Sequence, residues 1–306
     1  MDGGIRGAGG QSGRVSGGAR SRSSQPPRLA TPMSDLHYRE HAPPPELAGR
    51  VECVWTLRSR GRLPAAVLNR VLPDGCADVI FAPGEPPLPG TGPHHRLRGY
   101  AVGAMLRPSS VWIAGEVDLL GVRFRPGGAA AFLAVPLGEI TDAVVPLADA
   151  WGRDAAELEA RVLEAPAAER VRLVEAALRR RLGAGRTPHP AVERASALIA
   201  RSHGSIAVEA LAAQAGTGRR QLERLFAEQV GLTPKAAARV ARFRRLCGLL
   251  RARPEAGWSR LALECGYHDQ AHMIREFRGF AGVTPGAYRR EHARVASVQY
   301  TEAAGA

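Results

Sequence analysis

Two hydrophobic periods divide the chain. From Arg50 to about Arg125 apolar and polar positions alternate in short runs, VECVWTLRS, RVLPDGCADVIFA, LRGYAVGAML and SVWIAGEVDLLGVRFR, which is the period of strands that bury one face. Inside the second run Pro73-Asp74-Gly75 has the chemistry of a hairpin turn. After Pro126-Gly127-Gly128 the period lengthens to that of helices, in AAAFLAV, AAELEARVLEA and AAERVRLVEAALRRRL. In the last of these Val171, Val174, Leu178 and Leu182 fall on one face. The pattern predicts a β-rich, barrel-like or sandwich-like domain with a helical annex over residues 33–186. GAGRTPHP, residues 183–190, is linker chemistry, and helical periods continue beyond it to about residue 295. The fold class is therefore α+β, with an all-α domain over residues 187–295.

Residues 1–32 are rich in Gly, Ser and Arg and have almost no apolar periodicity, so they are expected to be disordered; residues 296–306 are expected to be a flexible C-terminus. Met33 opens a more ordinary sequence, and both Met1 and Met33 remain open as translation starts. At 306 residues and 45% hydrophobic content the rest suffices for one or two packed domains. Cys53, Cys76, Cys247 and Cys265 form no C-x-x-C pair, which argues against a zinc ribbon, a redox motif or a disulfide framework. With no run of about 18 apolar residues and no apolar leader, neither membrane insertion nor export is expected, and a reducing cytoplasm is. The net charge of +13 is uneven: residues 187–295 carry 18 Lys and Arg against 9 Asp and Glu, whereas residues 33–186 carry 19 against 18. The basic C-terminal third is the candidate surface for a polyanion.

That third contains an internal repeat. LAAQAG at 211–216 returns as LALECG at 261–266, Leu222 and Phe226 return 51 residues later as Met273 and Phe277, and GLTP at 231–234 returns as GVTP at 282–285. Each copy predicts a short helix, a turn at Gly216 or Gly266 and a second helix, the layout of a helix-turn-helix. Thr217 and Asp269 are placed to cap the two second helices, and Thr233-Pro234 and Thr284-Pro285 set a capping hydroxyl before a proline at the first helical position. Between the copies a helical segment runs from Pro234 to about Arg253. Roughly 20 residues at about 1.5 Å each span about 30 Å, close to the ~34 Å between successive major-groove faces on one side of B-DNA.

GYHDQAHMIREFRGFAGVTPGAYRR resembles the signature of the AraC/XylS family of bacterial transcription regulators, and GTGRRQLERLFAEQVGLTP resembles the matching region of that family's first helix-turn-helix. The resemblance covers about residues 190–292. It implies that the first recognition helix presents Arg220, Glu223 and Arg224 to bases, with Arg219 nearby, and that the second presents Gln270, Ala271, His272 and Arg275. The chemistry is suitable: arginine grips guanine bidentately, glutamine pairs with adenine and glutamate accepts from cytosine. Glu223 alternatively orients Arg219 or Arg220, and His272 alternatively packs in a turn. Arg239, Arg242, Arg244, Arg245, Arg278 and Arg289 suit phosphate contact or plain solvation. Where the family often has Ser this chain has Gly218, so Thr217 is left to cap and the first recognition helix is expected to start a residue early.

VLPDGCADVIF and GVRFRPGGAAAFLAVPLGEITDAVVPLADAWG resemble an N-terminal domain often found ahead of this helix-turn-helix pair in bacterial regulators. By position such a domain would sense a small molecule, dimerise the chain, or both. Arg123 and Arg125, before a glycine turn and a helix start, are the candidate anion ligands there; a solvated strand face is the other reading. Asp74, Cys76 and Asp78 with His94 and His95 lack metal-ligand spacing, and Cys76 has no base to pair with. No catalytic residue, metal or cofactor is expected. Double-stranded DNA is the expected partner, with RNA polymerase implied by the resemblance and a homodimer open. The alternatives are a repair-type enzyme delivered to DNA and a non-specific architectural binder. Operator, effector, and activation versus repression are not legible.

Overall fold

The computed structural model describes residues 35–86, 97–184 and 187–294; the expectations for residues 1–32, Met33, His94, His95 and residues 296–306 lie outside them. Six strands form one antiparallel sheet: β1 (Leu36–His41), β2 (Val51–Val71), β3 (Asp78–Phe81), β4 (Gly99–Val102), β5 (Ser109–Phe124) and β6 (Val144–Pro146), in the order β1-β2-β5-β3-β4-β6. Among the described residues the sheet does not close into a barrel: β1 and β6 are its two edges. The two expected runs VECVWTLRS and RV belong to the single long β2, bent by register shifts at Val51/Cys53, Arg58/Arg62 and Leu63/Val67. Pro73-Asp74-Gly75 does not close a hairpin, because β2 and β3 both pair with β5, from opposite sides.

Period two sorts the side chains of the sheet into two clusters. Val54, Leu120, Val122 and Phe124 pack on one face against the annex, and Cys53, Trp55, Leu57, Val117 and Leu119 pack on the other. Trp55 lies over Gly121, where any Cβ would fall inside the indole ring. The annex consists of α1 (Leu147–Trp151), α2 (Ala155–Glu164) and α3 (Arg170–Ala184). Val174 and Leu178 of α3 are buried, with Val171 and Leu182 packed beside them, so the predicted helix face is the one that meets the core. AAAFLAV yields only a 3-10 turn, Gly128–Ala131.

The C-terminal region contains α4 (Pro190–Arg201), α5 (Val208–Gln214), α6 (Arg219–Gln229), α7 (Pro234–Ala252), α8 (Trp258–Glu264), α9 (Gln270–Ala281) and α10 (Pro285–Arg294). Leu222, Phe226, Phe243, Met273 and Phe277 centre one continuous core, which also takes in Leu72 and Ala104 from the N-terminal region. The two regions touch elsewhere. Arg244 donates to the Asp74 carbonyl at 3.2 Å, Arg70 pairs with Glu291 at 2.9 Å, and the 3-10 turn Leu137–Ile140 rests on α6. Beside that turn the Thr141 hydroxyl donates to the Gly231 carbonyl at 2.5 Å.

Candidate nucleic-acid interface

Each helix-turn-helix is built on local signals. Gly216 (φ 72°) and Gly266 (φ 75°) take the left-handed turn that side chains resist. The N–H of Thr217 and of Tyr267 then closes the turn on the carbonyls of Ala212 and Ala262, at 3.1 and 2.9 Å. Asp269 caps α9, accepting from the His272 N–H at 2.6 Å; that N–H, followed by His268, holds the Asp269 carboxyl below the usual aspartate range. Thr233 caps α7 and Thr284 caps α10 in the same manner, at 3.1 and 3.2 Å. Thr217 does not cap α6. The N-cap residue is Gly218, which offers no side-chain acceptor, and α6 starts at Arg219, the position equivalent to Gln270 in α9 rather than a residue early. The backbone of Thr217 is committed to the turn, which sets the helix start one residue further on.

Leu222, Leu225 and Phe226 of α6 and Met273 and Phe277 of α9 face the core, and this directs the remaining positions outward. Arg219, Arg220, Arg224, Gln270, Ala271 and Arg275 are exposed, whereas Glu223 and His272 are half-buried. Arg219 pairs with Glu209 at 2.7 Å and with Glu223 at 3.0 Å; Glu223 is the main cause of a guanidinium held above its ordinary range. Arg224 bonds Gln221 at 3.4 Å and approaches Glu228 to 3.7 Å. In α9, Gln270 accepts from the Ser259 hydroxyl at 3.3 Å, and the His272 ring meets Tyr267 edge-on, centroids 5.4 Å apart.

The arginines expected to touch phosphate divide. Arg278 is exposed, Arg244 is exposed while donating to the Asp74 carbonyl, and Arg245 lies close enough to Cys265 and Glu264 to favour the ionised form of each electrostatically. Arg239 and Arg242 instead bind the buried Glu276 of α9, with Nε to Oε2 at 2.6 Å and Nη2 to Oε1 at 3.4 Å. Arg289 donates to the Pro254 carbonyl at 2.5 Å and stacks over Trp258 at 4.1 Å. Sequence reasoning missed Glu276. Its signal was available, because the equivalent position in the first copy is the buried Leu225.

In the N-terminal region Arg123 and Arg125 are not brought together for an anion. Arg123 lies half-buried between Asp74 and Asp78, at 3.3 and 3.5 Å, while Arg125 pairs with Glu52 at 2.6 Å and donates to the Ala48 carbonyl. Desolvation raises the Asp78 carboxyl, opposed by Arg123. All four thiols are buried, and burial pushes Cys53 and Cys247 up to about 12, Cys265 to about 11, and Cys76 well above its ordinary value. Among the described residues no group of three or more His, Cys, Asp and Glu side chains converges as a metal site. A cleft of about 700 Å³ opens between the annex helices, lined by Trp151, Leu158, Arg161, Arg180 and Arg181. A smaller cavity of about 340 Å³ shares Ala130 and Leu133 with it and reaches Glu228 and Gln229 at the end of α6. No helix of the described residues is long and apolar enough to cross a membrane.

Two family models match the chain: a domain of unknown function (DUF6597) over residues 39–146, and a helix-turn-helix domain over residues 211–291. The HTH-type transcriptional regulator MtrA of Neisseria gonorrhoeae is 33% identical over 84 residues, a match spanning 28% of this chain and only 28% of MtrA. A regulator from Chromobacterium violaceum with an AraC-type DNA-binding domain is 26% identical, covering 34% of this chain and 94% of that one at a TM-score of 0.32. ToxT of Vibrio cholerae is 10% identical and covers 76% of this chain and 98% of its own at a TM-score of 0.43.

Proposed function

We infer that the chain is an AraC-type transcription regulator reading double-stranded DNA through α6 and α9, a reading supported by the helix-turn-helix match over residues 211–291 and by the likeness to MtrA. The observation that carries the reading is the paired arrangement itself: two recognition helices, each with an exposed polar face, joined by the 19-residue α7. Nineteen residues of helix are about 28 Å long, near the ~34 Å repeat of the major groove. Arg219, Arg220, Glu223 and Arg224 then face one groove segment, and Gln270, Ala271, His272 and Arg275 face the next. Arg278, Arg244 and Arg245 are the phosphate contacts that set register. Regulation enters through the N-terminal region, by a small molecule, by a second copy of the chain, or by both. The annex cleft and its smaller neighbour, whose lining reaches Glu228 and Gln229 of α6, support a small molecule as the signal. RNA polymerase is the protein partner on which such a regulator acts.

The reading is tested by selecting sites from a random DNA pool at one salt concentration with wild type, Arg275→Ala and Arg224→Ala. We expect a bipartite motif with its elements about one helical turn apart. Each variant should lose about 1–3 kcal/mol of base discrimination at a different element. Binding without enrichment would move the function to an architectural binder, and enrichment identical in all three proteins would reject these two residues as base readers.

A further inference from the structure

The two recognition helices are anchored by different chemistry. In α6 the position below the base-reading face is Leu225, buried in apolar contact. In α9 the equivalent position is Glu276, a carboxylate 7% exposed. It is met by Arg239 Nε at 2.6 Å and Arg242 Nη2 at 3.4 Å, both from α7, and His272 Nε2 stands 3.9 Å away. Each guanidinium also lies over a ring of the second unit: Arg239 over Phe280 at 5.2 Å and Arg242 over Tyr267 at 5.3 Å. A guanidinium fork is directional, and stacking fixes its plane. Two such guanidinium groups, each giving one N–H to a different oxygen of one buried carboxylate, therefore define the rotation and height of α9 on α7 more narrowly than an apolar contact does. Glu276 adjoins Arg275 and sits one turn beyond His272, so any rotation at Glu276 moves both side chains off their bases.

We propose that Glu276 is a positioning residue that sets the register of α9 in the major groove, with Arg239 and Arg242 held by it rather than by phosphate. The inference rests on the DNA-reading function given above. Glu276 touches no base; it acts through Arg275 and His272. Its loss should relax sequence preference at one element only, whereas loss of a phosphate contact weakens binding to every sequence and lowers the salt slope by about one.

The test repeats the site selection with Glu276→Gln, Arg242→Gln and Glu276→Leu, the last copying the residue of the first unit. Affinity for the selected site and for random DNA is also titrated against salt, and melting temperature is recorded. Preference at the element read by α9 should relax tenfold or more, the α6 element should stay as in wild type, and the salt slope of Arg242→Gln should be unchanged. A slope lower by about one, with equal weakening on all sequences, would mark Arg242 as a phosphate contact and overturn the proposal. Loss at both elements in step with a lower melting temperature would overturn it as well, by reducing Glu276 to general stability. Should Glu276→Gln unfold, Arg239→Gln, on the more exposed arm of the clamp, gives the same readings. A wild type that selects no motif overturns the base-reading function and this inference with it, whereas a wild-type motif unchanged in every variant overturns this inference alone.

Discussion

The two helix-turn-helix units share one plan and are held by different means. In the first, α6 begins at the uncapped Gly218, its arginines are partly neutralised by Glu209, Glu223 and Glu228, and it is buttressed from outside by the turn Leu137–Ile140 and by the Thr141–Gly231 hydrogen bond. In the second, α9 begins at the side-chain cap of Asp269 and is locked to the linker helix through Glu276. Arg275 has no carboxylate within salt-bridge distance among the described residues. The N-terminal region reaches this second unit at its margin, through Pro108 beside Gly282 and through Arg70 on α10. A fold repeated in sequence is thus not repeated in its energetics. The first unit depends on contacts from the N-terminal region, and the second carries its own restraint.

Three perturbations bear on the contrast. The largest concerns what the units share. Phe226→Ala and Phe277→Ala each empty a fully buried site in one continuous core, so each should cost about 3–5 kcal/mol and shift a single cooperative denaturant transition. Two separate transitions would show that the halves do not share a core. Next is Thr141→Val, which removes the tie to Gly231 and should cost about 1 kcal/mol. The loss of DNA preference should be confined to the α6 element in site selection; an effect at the α9 element would contradict the division of labour.

The smallest concerns the caps. Gly218 has ordinary backbone angles and open space around its missing Cβ. Gly218→Ser should therefore add a few tenths of a kcal/mol, read as a slight rise in melting temperature, while Asp269→Ala should lower it. The folded Asp269 carboxyl is held below its unfolded value. Its contribution is present above the ordinary aspartate range and lost as pH falls through the lowered folded value. The difference in melting temperature between Asp269→Ala and wild type should accordingly shrink under acid; a difference constant with pH would remove the carboxylate from the account.

The sequence by itself determined the features that close within a few residues. The two units, their turn glycines, the caps at Asp269, Thr233 and Thr284, and the alternating faces of β2 and β5 all rest on bonds or packing set by short spacings. Gly218 marks the limit of that legibility. Adjacent Thr217 and Gly218 both suit a helix start locally, and the turn bond from Thr217 to Ala212 made the choice. Only the tertiary structure decided where the charged side chains went. Arg239 and Arg242 meet Glu276 across 37 and 34 residues, Arg244 meets Asp74 across 170, and Arg123 lies half-buried between Asp74 and Asp78. The open sheet and the crossing at Pro73-Asp74-Gly75 were settled the same way, by which strands found β5. An arginine in a sequence carries the same charge whether it meets a carboxylate, a carbonyl or a phosphate, and its partner is chosen by folding distant segments together, which no local period encodes.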